Sequence, residues 1–200
     1  MVQPMVFTIS EEFGKSPFLI LISCLLSLRA KDSTTLPICR VLFNKAQTPQ
    51  ELLAIPIPEL EKIIYKTGFY KRKAAQLHFV SRELLERFGG NVPKTEKELL
   101  SIKGVGIKTA NLVLAEAYNI PAICVDTHVH KISNRLGLVD TKTPEETEKA
   151  LKKVLPQKYW IEWNRLLVMW GQNICVPVSP FCSKCEIYDY CERVGVKKSR

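Results

Sequence analysis

Apolar side chains recur at threes and fours through most of the chain. Between residues 71 and 88, Ala74, Leu77, Val80, Leu84 and Phe88 form one stripe, with Lys71, Arg72, Lys73, Arg82 and Glu83 on other faces. That is the pattern of an amphipathic helix. Helix starts are marked as clearly. Thr48-Pro49 with Glu51, Thr95 with Glu98 and Thr143-Pro144 with Glu146 each set a capping threonine three residues ahead of an acid, the arrangement of a capping box. Ser16-Pro17 and Ile57-Pro58 put proline where a helix begins, and Gly68, Gly89-Gly90 and Gly137 fit as stops. No period-two alternation of a strand stands out. The apolar run from Phe18 to Leu28 is too short for a bilayer, which takes ~20 residues to cross, and reads as a buried core helix. The pattern predicts an all-α protein of about ten helices, without repeats, ending in the basic stretch Lys197-Lys198-Ser199-Arg200.

At 200 residues the chain is one domain or two small ones, long enough to bury a core without disulfide support. Its 46% hydrophobic and 24% charged content is that of a soluble globular protein. Lys and Arg number 29 against 20 acids, a net charge of +9. That excess favours a polyanionic partner, nucleic acid first and an acidic membrane surface second. No N-terminal stretch has the form of a signal peptide, so a cytoplasmic location is expected. Seven cysteines is an odd number, and four of them fall between residues 175 and 191. In a reducing compartment such crowding points to metal rather than to disulfides.

The most informative stretch is Leu99-Leu100-Ser101-Ile102-Lys103-Gly104-Val105-Gly106-Ile107-Lys108-Thr109-Ala110. A helix opened by Thr95 should end near Ile102 and another begin near Lys108. Glycines on both sides of one apolar residue let the backbone turn tightly with its N–H groups outward. Such amides beside a helix N-terminus bind phosphate, the pattern of a helix-hairpin-helix that grips the DNA backbone without reading sequence. An ordinary connection with glycine stops has the same composition. Lys108 sits in the first helical turn, where stability favours an acid. A positive helix end, partial burial and neighbouring Lys103 favour the neutral amine that a nucleophile requires; a solvent-facing or phosphate-touching lysine is the plainer alternative. Asp126 follows 18 residues later, in Val125-Asp126-Thr127-His128. It is a strong helix cap, and a carboxylate there can also face developing positive charge on a sugar. His128 and His130 suit packing or phosphate contact better than catalysis.

Cys175, Cys182, Cys185 and Cys191 leave gaps of six, two and five residues. Four thiolates so spaced can surround a [4Fe–4S] cluster or one tetrahedral zinc. Zinc modules more often show two close pairs, so the spacing leans towards iron–sulfur. Cys24, Cys39 and Cys124 lie in apolar surroundings and read as core.

Taken together, Lys103 to Ala110, then Val125 to His128, then the six–two–five cysteine spacing resemble bacterial and archaeal endonuclease III, of the helix-hairpin-helix DNA glycosylases. The likeness runs from about Phe18 to Cys191. It implies two helical domains with a cleft between them: a six-helix barrel of residues 15–121, and a domain of residues 1–14 plus 122–200 holding a [4Fe–4S] cluster on the four cysteines. It makes Lys108 the amine nucleophile, Asp126 the essential carboxylate, and Gly104, Val105 and Gly106 donors of amides to a phosphate. Phe69 would be a duplex wedge with Lys71, Arg72 and Lys73 near phosphates; a residue stapled onto the following helix is the alternative. Arg29 stands where the family often has glutamine, in the segment that fills the gap left by a flipped base. His128 would join the DNA contacts. The loop Val176-Pro177-Val178-Ser179-Pro180-Phe181 lacks the basic residues of relatives, so DNA binding is not carried over to it. The implied partner is damaged double-stranded DNA, bound by a monomer at the nucleoid, with no membrane. The implied activity is base excision of oxidised pyrimidines with strand cleavage 3′ to the lesion through a lysine Schiff base. A monofunctional mismatch glycosylase of the same superfamily, a binding-only helix-hairpin-helix protein and an electron-transfer iron–sulfur protein are the alternatives.

Overall fold

The computed structural model describes residues 3–200, and among these no strand occurs. The chain divides into two units, residues 5–120 and residues 121–200 with Gln3 and Pro4. The first holds α1 (Met5–Phe13), α2 (Pro17–Ser27), α3 (Asp32–Phe43), α4 (Pro49–Ala54), α5 (Ile57–Ile64), α6 (Tyr70–Phe88), α7 (Glu96–Ser101) and α8 (Ile107–Tyr118). The second holds α9 (Thr127–Arg135), α10 (Pro144–Val154) and α11 (Trp160–Asn173). None of these helices is long and apolar enough to cross a membrane.

The first unit is built on α2. Ser16 caps its start by accepting from the Leu19 amide, and every residue from Phe18 to Leu26 is buried. A helix apolar on all sides must be covered on all sides, and α1, α3, α6 and α8 pack on it. The threonine caps form where the sequence marks them, and the full capping box forms at α4. Thr48 accepts from the Glu51 amide while Glu51 accepts from the Thr48 amide, and Thr95 and Thr143 cap α7 and α10.

The division differs from the expected one at the start of the chain. Helix α1, expected to join the C-terminal segment, packs on α2 and α3. It does so because Met5, Val6 and Ile9 are buried there and Phe13 meets Phe43 edge-on at 5.7 Å. Met1 and Val2 of that expected grouping lie outside the described residues.

In the second unit Ile123, Val125, Val129, Ile132, Leu151 and Leu167 form a core flanked by Trp160, Trp163 and Trp170. The extended run into Asp126 is held by Asn164, whose Nδ2 donates to the Cys124 carbonyl at 2.6 Å. Helices α9 and α11 come so close that a Cβ on Gly171 would lie 2.3 Å from His128 Nδ1 and 2.7 Å from His128 Cβ. The last segment, 174–200, has only the short 3₁₀ turns Cys182–Lys184 and Tyr188–Tyr190.

That close approach has a measurable consequence. Gly171→Ala is expected to destabilise the protein by about 1–3 kcal/mol through overpacking. The loss should shrink sharply in a His128→Ala background, as read by denaturant unfolding of the double-mutant cycle. An unchanged loss would place the strain elsewhere.

Candidate functional site

The turn between α7 and α8 is held from two sides. Gly104 takes φ +92°, and a Cβ there would sit 2.2 Å from Gln76 Nε2. That same Nε2 donates to the Gly104 carbonyl at 3.0 Å, pinning the hairpin to α6. Gly106 has an ordinary φ of −93° and open space where a side chain would go, so close approach rather than backbone freedom is what glycine supplies there. One of the three amides expected to face a phosphate is already engaged. Val105 N–H donates to the Ile102 carbonyl at 3.0 Å and its side chain is buried, because the turn closes on itself at that residue. The amides of Gly104 and Gly106 have no such partner among the described residues.

Helix α8 starts at Gly106 with no side-chain cap and no acid in its first turn. In α4, α7 and α10 the first turn carries both. Lys108, expected to be partly buried, is exposed in that first turn, a cation at the positive end of a helix. An end so prepared favours an external anion. The Lys108 charge also reaches Cys24, where it opposes the burial that pushes this thiol up to about 12. Burial likewise pushes Cys39 up to about 12, and Cys124 is buried too, so these three cysteines are inert core.

Beside the hairpin lies an open pocket of about 380 Å³, lined by Leu25, Leu28, Arg29, Phe69, Arg72, Lys73, Gln76 and Gly104. Two of its residues are non-glycines in the left-handed region, Arg29 at φ 59° and Phe69 at φ 48°. Leu28, at φ −56° and ψ 117°, and the bond from Ala30 N–H to the Ser27 carbonyl at 2.9 Å make Ser27–Ala30 a type II turn. Arg29 fills the position that such turns give to glycine. Each strained residue costs of the order of 1–3 kcal/mol, the kind of strain that gathers at ligand sites. Phe69 is 65% exposed, so it is not stapled onto α6.

Lys73 is not where the sequence reading put it. Expected near phosphates, it is buried, and its Nζ donates to the carbonyls of Leu26 at 2.7 Å and Thr67 at 3.0 Å. Burial lowers its pKa from the ordinary lysine value. The sequence held the signal: Lys73 lies four residues before Leu77, in line with the apolar stripe of α6. Lys71 and Arg72 are exposed in the first turn of α6, which carries no acid and no side-chain cap. Gln76, missed by the sequence reading, offers no spacing signal.

In the second unit Asp126 caps α9. Its Oδ1 accepts from the His128 amide at 2.8 Å and the Val129 amide at 2.9 Å, leaving Oδ2 unengaged among the described residues. The carboxylate is thus held by one oxygen and presents the other. The His128 ring, expected at DNA, is half-buried and packs on α11 at Gly171; contact with that glycine, rather than solvent, fixes it.

Cys175, Cys182, Cys185 and Cys191 line one pocket with Arg135, Phe181, Tyr188 and Arg193. Arg135 Nη1 donates to Cys175 Sγ at 3.1 Å and to the Val176 carbonyl at 3.0 Å, and its Nη2 to the Pro177 carbonyl at 2.9 Å. Among the described residues no three His, Cys, Asp or Glu side chains converge as closely as a single metal ion requires. Four thiols lining one pocket beside a guanidinium make a donor set for a thiolate-bound metal centre.

A sequence model of the HhH-GPD superfamily of base excision DNA repair proteins matches residues 22–157. Endonuclease III of Thermotoga maritima is 47% identical over 176 residues, covering 88% of this chain and 83% of that protein. The solved structure of a trapped endonuclease III–DNA covalent intermediate, an estranged-adenine complex, superposes with a TM-score of 0.83 at 33% identity, covering 94% of this chain and 91% of that one. A thermostable thymine-DNA glycosylase superposes with a TM-score of 0.79 at 25% identity, covering 94% of this chain and 93% of that one.

The hairpin glycines should respond unequally to substitution. Gly104→Ala, forced to positive φ and into Gln76, is expected to lose about 1–2 kcal/mol of stability. Gly106→Ala should lose clearly less. Thermal unfolding of the two variants decides it, and equal losses would remove the distinction between a strained position and an open one.

Proposed function

The chain belongs to the HhH-GPD superfamily of base excision DNA repair proteins and, within it, to the endonuclease III family, and from that premise we infer that it is a bifunctional DNA glycosylase and AP lyase acting on oxidised pyrimidines in duplex DNA. The observation that carries the reading is the start of α8: no cap, no acid, a lysine in the first turn, and beside it two glycine amides without a partner among the described residues.

The chemistry follows from those groups. The damaged nucleotide leaves the stack at a cost that weak pairing lowers. The amides of Gly104 and Gly106 hold a backbone phosphate, Phe69 enters the duplex, and Arg29 occupies the space left behind. Neutral Lys108 Nζ attacks C1′ and the glycosidic bond breaks, its electron pair departing with the base. Asp126, anchored through Oδ1, uses Oδ2 to help proton transfer and to offset positive charge on the sugar. The Schiff base at C1′ acidifies the 2′ proton; its removal expels the 3′ phosphate by β-elimination, and hydrolysis frees Lys108. Cys175, Cys182, Cys185 and Cys191 would hold a [4Fe–4S] cluster, which supplies a fixed cross-link to a segment with little secondary structure of its own. Arg135 offsets the negative charge there. A mismatch glycosylase, to which the likeness to thymine-DNA glycosylase gives some weight, leaves Lys108 without a use.

Incubation with duplex DNA carrying an abasic site or thymine glycol, followed by borohydride, should give a covalent protein–DNA band that Lys108→Ala abolishes. Asp126→Asn keeps the cap and should cut glycosylase activity about 10²–10⁴-fold with little loss of stability. If the unaltered protein gives no band yet releases a mismatched thymine, the monofunctional reading replaces this one.

A further inference from the structure

Lys73 reaches two segments distant in sequence. Leu26, its first acceptor, lies in the last turn of α2, three residues before Arg29. Thr67, its second, lies two residues before Phe69. From each acceptor the chain runs directly into a non-glycine residue held at positive φ. The Lys73 backbone adds a third bond, its N–H donating to the Phe69 carbonyl at 2.9 Å. Arg29, Phe69 and Lys73 line the same pocket, the two former exposed and Lys73 buried.

A lysine that only completed a helix C-terminus could do so from the surface, and an apolar residue would fill the core without burying charge. What an ammonium adds here is three donors on one flexible stem, enough to fasten two strained loops to one helix. Loops at left-handed non-glycine residues relax unless their surroundings over-determine them. A wedge and a gap-filler held in advance also lose less entropy on entering the duplex.

We propose that Lys73 is a positioning residue for base extrusion, fixing Phe69 and Arg29 as a pair so that both enter the duplex in one motion. This rests on the reading of those two residues given above. Lys73 touches no substrate; it acts through them, and its effect is confined to lesions whose base must first be unstacked.

The test compares two substrates. One is a duplex with thymine glycol, whose base must be extruded; the other is a single strand with a preformed abasic site, where there is nothing to extrude. Lys73→Met keeps the apolar stem and removes the donors, Lys73→Gln is the milder change, and Lys73→Arg restores donors to both carbonyls. Glycosylase kcat/KM on the duplex is expected to fall about 10- to 100-fold in Lys73→Met, the scale of a small misplacement of working groups. It should fall less in Lys73→Gln and recover in Lys73→Arg. Lyase activity on the single strand should stay within about 3-fold in all three. Because Lys73 works through Phe69 and Arg29 together, adding Lys73→Met to the Phe69→Ala, Arg29→Ala double variant should give little further loss. Parallel losses on both substrates, or losses that multiply with the combined Phe69→Ala, Arg29→Ala change, would overturn the proposal and leave Lys73 a purely structural residue. Should Lys73→Met not fold, Lys73→Gln carries the same comparison. Absence of lyase activity in the unaltered protein would instead defeat the assigned function, so the two failures are distinct.

Discussion

Two helices of the 5–120 unit, α6 and α8, begin with neither a capping side chain nor an acid, and their positive ends set the terms for the rest of that unit. Each carries cations in the first turn, Lys71 and Arg72 on α6 and Lys108 on α8, against the preference of the helix dipole. Local stability is given up at both starts, while α4 and α7 in the same unit keep both threonine and acid. The two starts are tied together, since Gln76 of α6 bonds the Gly104 carbonyl ahead of α8 at 3.0 Å. A polyanion that follows a curved backbone is the ligand such paired ends lack.

Strain and support are divided between neighbouring residues in the same way. Arg29 and Phe69 are exposed and left-handed; Lys73, which lines the same pocket, is buried and bonded. The rigid part is α2, fully buried from Phe18 to Leu26, which gives Lys73 a fixed carbonyl to hold. In the second unit Asp126 joins both tasks in one side chain, capping α9 through one oxygen and keeping the other available. The net charge of +9 promotes association with a polyanion such as DNA.

Local signals were legible in the sequence and long-range ones were not. Caps at Thr48, Thr95, Asp126 and Thr143 act within a few residues, and each forms as read. The grouping of the four C-terminal cysteines was readable from spacing, since a short segment can bring them to one pocket. Lys73 was misread because its residue type outweighed its place on the apolar stripe, and its acceptor Leu26 lies 47 residues away. Arg29 gave no sign of positive φ, because the turn around it uses an arginine where sequence rules look for glycine. Val105 was counted as a phosphate donor from its neighbours, but the turn engages its amide. Arg135 donates to the Cys175 sulfur and to nearby carbonyls from a different helix, a contact that no spacing encodes.

The assigned chemistry is tested most directly by locating the covalent bond. After borohydride reduction of the protein with an abasic duplex, nuclease treatment and proteolysis, mass spectrometry of the peptides identifies the lysine that bears the reduced deoxyribose remnant. The expected result is a single modified residue, Lys108, with Lys103 unmodified beside it. Modification of Lys103, or a spread over several exposed lysines with none at Lys108, would contradict the role assigned to the start of α8.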